Sequence, residues 1–391
     1  MKIFSLLLLL VFVQMHGSER QTICLNMIVK NESKVIARCL ESVKPLIDYW
    51  VISDTGSTDN TKELILETMK GIPGELHEHP WKDFGHNRNN ALKLAKGKAD
   101  FILFIDADET LVFEENFSFP YLDKDFYFFS VLNEIEGQLL SEYKRILLID
   151  NSLDWEWEGV LHEVVTCPEA KNCELLEGVT NISRTREGFR ASDPDKYLKD
   201  ALVLEKALKD DPGNTRYVLH LGLSYIHARK YDLALKAFQR RIDMTPGVQG
   251  SAEIYLSLYE IGCIQIHCQE AAEKIIANLT AAHLYRPAQA EPLYQLGEYF
   301  LFQNNPFLAY LVLKQALEIP FPKRELIFIE PWIYDWAILF RFAESAFKIG
   351  RLQESKVAIE KLLPNPNLPE SLRDELQDHL AQIESAVFLI N

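Results

Sequence analysis

The sequence predicts an α/β domain on a mostly parallel sheet, followed by an all-α domain of helical repeats. Three observations lead there. From Thr22 to Asp106, short apolar runs alternate with amphipathic stretches, the pattern of a parallel sheet with helices on both faces. From Asp195 onward strand signals vanish. In that half Pro212, Pro246, Pro287 and Pro320 recur at intervals of 34, 41 and 33 residues, with paired helical patterns between them.

Taken in order, "TICLNMIV" reads as a buried strand and "SKVIARCLESVKPLI" as a helix capped by Ser33. "YWVISD" is a second strand, "STDNTKELILETMK" a helix capped by Ser57 or Thr58, and "ELHEH" a short third strand. "HNRNNALKLAKG" is a helix whose Asn87 and Asn90 read as surface capping residues, and "DFILFID" is the most apolar strand. After Asp123 come strands and turns: "DFYFFSVLNE", "YKRILLID", "LDWEWEGV", "HEVVTC" and "CELLEGVTNI". "SRTREGFRASDPD" reads as a linker. The predicted boundaries are 21–184 for the α/β domain, 185–194 for the linker and 195–391 for the helical domain.

A formal charge of −16, from 41 basic and 57 acidic residues, argues against a general nucleic-acid binder. Lys2 followed by an apolar run to Val13 has the length of a signal-peptide core and is short for a membrane span. Residues 1–20 are therefore expected to be a signal peptide or a short membrane anchor, with the remainder soluble. Export or membrane association follows from either, with a cytosol-facing domain as the alternative. Cys24 and Cys39 sit in apolar patterns and read as core thiols. Cys167 and Cys173 are near enough in sequence to pair, Cys263 and Cys268 less convincingly so.

The chemistry gathers at strand ends, where parallel sheets bind ligands. "FILFIDADET" drives an apolar strand into Asp106, Asp108 and Glu109. Residues two apart on an extended chain face the same way, so Asp106 and Asp108 can converge on a hard cation such as Mg²⁺ or Mn²⁺. The alternative is a strand that simply reaches the surface. "VISDTGSTDNT" places Asp54 at another strand end, free to accept from a nucleoside. Arg88, near a helix start, suits a diphosphate. "WEWEGVLHEVV" brings Trp155 and Trp157, a stacking wall for a sugar, beside His162 and Glu163. His162 is either structural or a further metal ligand, and Glu163 is a candidate general base.

Together "LNMIVKNES", "VISDTGSTDNT", the W-x-x-F-x-x-x-RN-x-AL pattern, "FILFIDADE", "YKRILLI" and "EGVLHE" resemble the family 2 inverting glycosyltransferases of GT-A fold, a Rossmann-like architecture. The nearest branch includes lipopolysaccharide-core transferases. The resemblance implies that the first strand end, including Asn31 and Glu32, and Asp54 contact the nucleoside. It implies Asp106 near the ribose and the metal, Asp108 on the metal, Arg88 and Arg145 near the diphosphate, and His162 and Glu163 at the branch's His-Glu pair. The Glu-Asp pair that many members use as base is missing at its usual place. The helical half, with its repeated Leu-Gly and aromatic positions, resembles tetratricopeptide repeats. Such a domain accompanies some bacterial peptide glycosyltransferases.

These readings imply a UDP-sugar donor, a divalent cation, and a protein, peptide or glycan acceptor, since stacked helix hairpins present an extended concave surface. An inactive transferase-like scaffold is the alternative. A P-loop enzyme is disfavoured, because no Gly-x-x-x-x-Gly-Lys is present.

Overall fold

The computed structural model describes residues 20–135, 138–184, 187–244, 251–323, 325–326 and 328–390, with side chains to 385. The expected N-terminal signal or anchor, Arg186 and Pro246 lie outside them. No helix among the described residues is long and apolar enough to cross a membrane.

The α/β domain runs β1 (Ile23–Val29), α1 (Ile36–Val43), β2 (Tyr49–Asp54), α2 (Thr61–Thr68), β3 (Gly74–Glu78), α3 (Phe84–Ala95), β4 (Phe101–Phe104) and β5 (Glu109–Phe113). It continues with β6 (Phe126–Ile135), β7 (Gln138–Asp150), β8 (Glu156–Glu158), β9 (Val164–Thr166) and β10 (Cys173–Ser183). Eight strands form one sheet in the order β3-β2-β1-β4-β7-β6-β10-β5, and β8 with β9 makes a separate hairpin. The four N-terminal strands β1 to β4 are parallel, while β7 runs antiparallel to both β4 and β6. Parallel strands covered on both faces must be apolar throughout. Accordingly, Cys24, Leu25, Met27, Val51, Ile52 and Leu103 are at or near zero exposure.

Local capping departs from the sequence reading. Helix α1 starts at Ile36 after an uncapped Val35, and the Ser33 N–H instead donates to Asp59 Oδ2 at 3.2 Å. Helix α2 starts at Thr61, so Ser57 and Thr58 lie too early to cap it. They knit the β1 and β2 turns together: Asn31 N donates to Ser57 Oγ (2.9 Å) and Thr58 N to Asn31 Oδ1 (2.7 Å). Asp83 does cap α3, accepting from His86 N at 2.7 Å. Asn87 is fully buried rather than on the surface, where its amide joins Lys82 N and Pro80 O. Cys24 and Cys39 are core thiols as expected, and all six cysteines are free, Cys167 buried and Cys173 exposed.

The helical domain comprises α4 (Lys196–Asp210), α5 (Thr215–His227), α6 (Tyr231–Met244), α7 (Ala252–His267), α8 (Ala272–Tyr285), α9 (Glu291–Phe302) and α10 (Pro306–Ala316). It ends with α11 (Ile338–Lys348), α12 (Leu352–Leu362) and α13 (Glu370–Ile390). The repeat has a physical signature. A Cβ added at Gly222, Gly262 or Gly297 would stand 2.6 Å from Phe238, Leu279 or Leu313 of the next helix. Glycine at the same place in three successive hairpins lets each pair close to packing distance, which is how tetratricopeptide-like units build a continuous core.

The two domains touch at defined places. Leu161, beyond β8, is buried in the core of α4 to α7. Beyond the short β4 the edge of β7 would be bare, and Ile329 covers it through reciprocal 2.8 Å backbone hydrogen bonds with Glu142.

Glu291 gives the helical domain a predictable pH dependence. It is 2% exposed and accepts from the Tyr334 hydroxyl at 2.8 Å, and burial pushes its carboxyl up from 4.5 to about 7. The folded state then holds this proton more tightly than the unfolded chain, so stability falls as pH rises from 4.5 to 7 and is flat above. The contribution is up to about 3 kcal/mol. Urea unfolding at pH 5 and pH 7.5 should show it, and Glu291→Gln should reduce the slope while leaving the part due to Glu260 and Glu330, which burial also raises.

Candidate active site

A cavity of about 540 Å³ opens where the C-terminal ends of β1 and β4 meet the start of α3, the middle of β7, residues 188–191 and the start of α4. The sheet brings its acids together by register: Val29 pairs with Asp54, and β4 lies on the other side of β1.

Asp54 is 1% exposed at the end of β2. Its Oδ1 accepts from Gly56 N and Ser57 N, both at 2.8 Å, and its Oδ2 has no partner. The turn depends on Gly56, whose φ of +108° favours glycine. A buried carboxylate oxygen without a donor is costly and fits a ligand N–H or O–H.

Past β4, the three acids differ in their company. Arg88 Nη2 donates to Asp106 Oδ1 at 2.6 Å, and Arg145 Nη1 to Oδ2 at 3.3 Å. Burial opposes its charge, but the two guanidiniums outweigh burial and hold Asp106 well below the usual carboxylate range. Glu109 is buried, accepting from Arg145 Nη2 at 2.5 Å and from Asp106 N at 2.9 Å. Asp108 has no cation beside it among the described residues. Burial, then the charges of Asp106, Glu109 and Glu32, push its carboxyl up to about 7. Glu32 is pushed to about 7 as well, chiefly by burial, despite a 3.1 Å hydrogen bond from Phe189 N.

Asp108 and Glu32 thus flank the Gly188–Phe189 segment as two acids short of positive charge. That donor set fits a hard divalent cation, which takes one or two carboxylates and completes its shell from water and phosphate. No cluster of three or more His, Cys, Asp or Glu side chains is built for a metal among the described residues. The approach of Gly188 is tight: a Cβ there would lie 2.9 Å from Asp108 Oδ2. Its φ is −67°, so backbone conformation is not the constraint. Gly188→Ala should therefore displace the Asp108 carboxylate and weaken any binding of Mn²⁺ to the chain about tenfold, with little change in melting temperature. Calorimetric titration of Mn²⁺ beside a thermal melt checks both.

The remaining predicted residues fall in different places. Arg88 and Arg145 lie at the cavity, and the Nε of Arg145 is buried with no partner. Glu163 does not line the cavity. It accepts from Arg88 Nε at 2.5 Å, so one guanidinium holds Asp106 and Glu163 together. His162 lies apart from the carboxylates, its ring stacked on His220 with 4.0 Å between centroids. Neither Asn31, bonded to Ser57 and Thr58, nor Asp54 is among the residues that line the cavity, although their neighbours Lys30, Glu32 and Thr55 are. Trp155 and Trp157 do not form the sugar-stacking wall. Trp157 packs beneath Arg88 and edge-on to Phe104, while Trp155 packs on Phe126. The aromatic wall is instead Trp81, Phe84, Tyr143 and Phe189. Trp81 is visible in the W-x-x-F pattern. Phe189, Arg190 and Lys196 give no signal in the sequence, because they sit in and just beyond an aperiodic linker.

Residues 24–115 match the family model described as "Glycosyl transferase family 2". Among curated proteins, the glycosyltransferase SunS of Bacillus phage SPbeta is 27% identical over 217 residues, 52% of this chain and 49% of that protein. A TPR repeat-containing protein of Synechococcus elongatus is 39% identical over 98 residues, 25% of this chain and 23% of its own. This chain thus spans about half the length of SunS and less of the other. Among solved structures, a thermophilic TPR protein of Thermus thermophilus overlays at TM-score 0.33 and 21% identity, covering 48% of this chain and 91% of that one.

Proposed function

We propose that this chain, which carries a family 2 glycosyltransferase domain beginning at β1, is a metal-dependent inverting transferase. It moves a sugar from a UDP-linked donor to a protein, peptide or glycan acceptor. The observation that carries the reading is Asp108: a half-buried carboxylate in the cavity with no cation beside it among the described residues, at the end of an apolar strand and flanked by acids.

The chain's own groups suggest a division of labour. Asp54 Oδ2, buried and unpartnered, accepts from the nucleoside. Asp106, kept ionised by Arg88 and Arg145, accepts from ribose hydroxyls. The orphan Nε of Arg145 donates to phosphate oxygen. Asp108, with Glu32 near it, holds Mg²⁺ or Mn²⁺, which when bound neutralises the diphosphate as it leaves. Glu163 remains the candidate base, held in the free protein by Arg88. A diphosphate that competes for Arg88 would loosen that pair. Attack from the face opposite the leaving group inverts the anomeric centre. The helical hairpins supply the surface for an extended acceptor.

The test is to incubate the full chain with Mn²⁺ and a panel of UDP-sugars and GDP-sugars, with peptide and saccharide acceptors. Release of free nucleotide that chelator stops, with an inverted anomer in the product by proton NMR, supports the reading. No turnover of any donor with any acceptor class counts against it.

A further inference from the structure

The cations around the cavity are nearly all spoken for. Arg88 and Arg145 are held by Asp106, Glu109 and Glu163, Arg190 by Asp200, and Lys199 by Asp193. Lys196 is different. It is the first residue of α4, lines the cavity and is half-buried, and no carboxylate lies within ion-pair distance of it among the described residues. Its ammonium stands over the face of Tyr197, 5.1 Å from the ring centroid. Lys30 and Lys82, also at the cavity and without a carboxylate, are exposed to solvent. A partly desolvated ammonium facing a cavity wants an anion.

We infer that Lys196 is a donor-binding residue, contributed by the first helix of the repeat domain, and that it contacts the diphosphate of the nucleotide sugar. The inference rests on the glycosyltransferase reading above and deepens it. Asp108 would hold the cation beside the diphosphate, and Lys196 lines the same cavity. Burial, and then the neighbouring Arg190, pull the Lys196 ammonium below its usual range, a penalty that a bound anion relieves. Arg190 is itself fixed by Asp200 and by the face of Phe84 at 4.9 Å, so it shapes the wall and leaves Lys196 as the free charge. The donor site is then closed by both domains. The helices take part in donor binding as well as offering a surface to an acceptor.

The experiment is calorimetric binding of UDP and of uridine to the full chain with Mn²⁺, for wild type, Lys196→Ala, Lys196→Met and Lys196→Arg. Methionine keeps the stem over Tyr197 and guards against a loss that is only packing. The expected result is UDP binding weakened about tenfold in the alanine and methionine variants, uridine binding unchanged, and UDP binding largely restored by arginine. Unchanged UDP affinity, or equal loss for UDP and uridine, overturns the inference while leaving the transferase reading intact. If wild type binds no nucleoside diphosphate, including GDP and ADP, the transferase reading itself fails.

Discussion

Asp108→Asn should lower turnover by on the order of 10²–10³-fold while leaving the fold as stable as wild type. The substitution keeps the shape of the side chain and removes only the charge. In the free protein that charge is a liability, because burial and the nearby Asp106, Glu109 and Glu32 all disfavour it. On the proposed reading its value arises only when a cation and diphosphate arrive, so the loss would fall on turnover. Steady-state rates across a Mn²⁺ titration, beside a thermal melt, separate the two effects. Turnover within a few-fold of wild type would remove Asp108 from the metal site.

Arg88→Met should damage both stability and activity. The Arg88 side chain is 11% exposed, and its guanidinium bridges Asp106 and Glu163, the latter's side chain 9% exposed, while its face covers Trp157 at 4.9 Å. Methionine fills much of the volume but leaves Glu163 without its counter-charge and Asp106 with Arg145 alone. Breaking one side of a buried pair costs about 3 kcal/mol, and the partial exposure of Asp106 argues for the lower end of the range. For a domain of this size that is a fall of roughly 6–12 °C in melting temperature. Arg88→Lys should recover part of the stability and little of the activity, since an ammonium cannot fork between two carboxylates. Melting curves for both variants check the order.

Much of this molecule could be read from residue order because its local and global signals agree. Strands β1, β2 and β4 are buried on both faces, so they are largely apolar, and Asp54 ends β2 while Asp106 follows β4 by two residues, where the chain leaves the sheet. The recurring Leu-Gly of the helical half was legible because close packing of each hairpin requires it. Caps were less legible. Ser33, Ser57 and Thr58 are good cap residues by type, but here hydrogen bonds between two loops claim them, and only the tertiary fold reveals that. The same holds for Trp155, Trp157 and His162. Their clustering in sequence suggested a site, yet Trp157 packs under Arg88, Trp155 packs on Phe126 and His162 stacks on His220. The reverse failure is the linker. An aperiodic stretch carries no signal of what it will touch, so Gly188, Phe189 and Lys196 became visible only when the two domains closed on one another.

Titration of UDP into the full chain by calorimetry, with and without Mn²⁺, and again with Asp108→Ala, tests the central claim most directly. The account predicts saturable binding that Mn²⁺ strengthens by at least about tenfold and that the substitution reduces to the metal-free level. Binding indifferent to Mn²⁺ and to Asp108→Ala, or no binding of UDP, GDP or ADP under any condition, would contradict it.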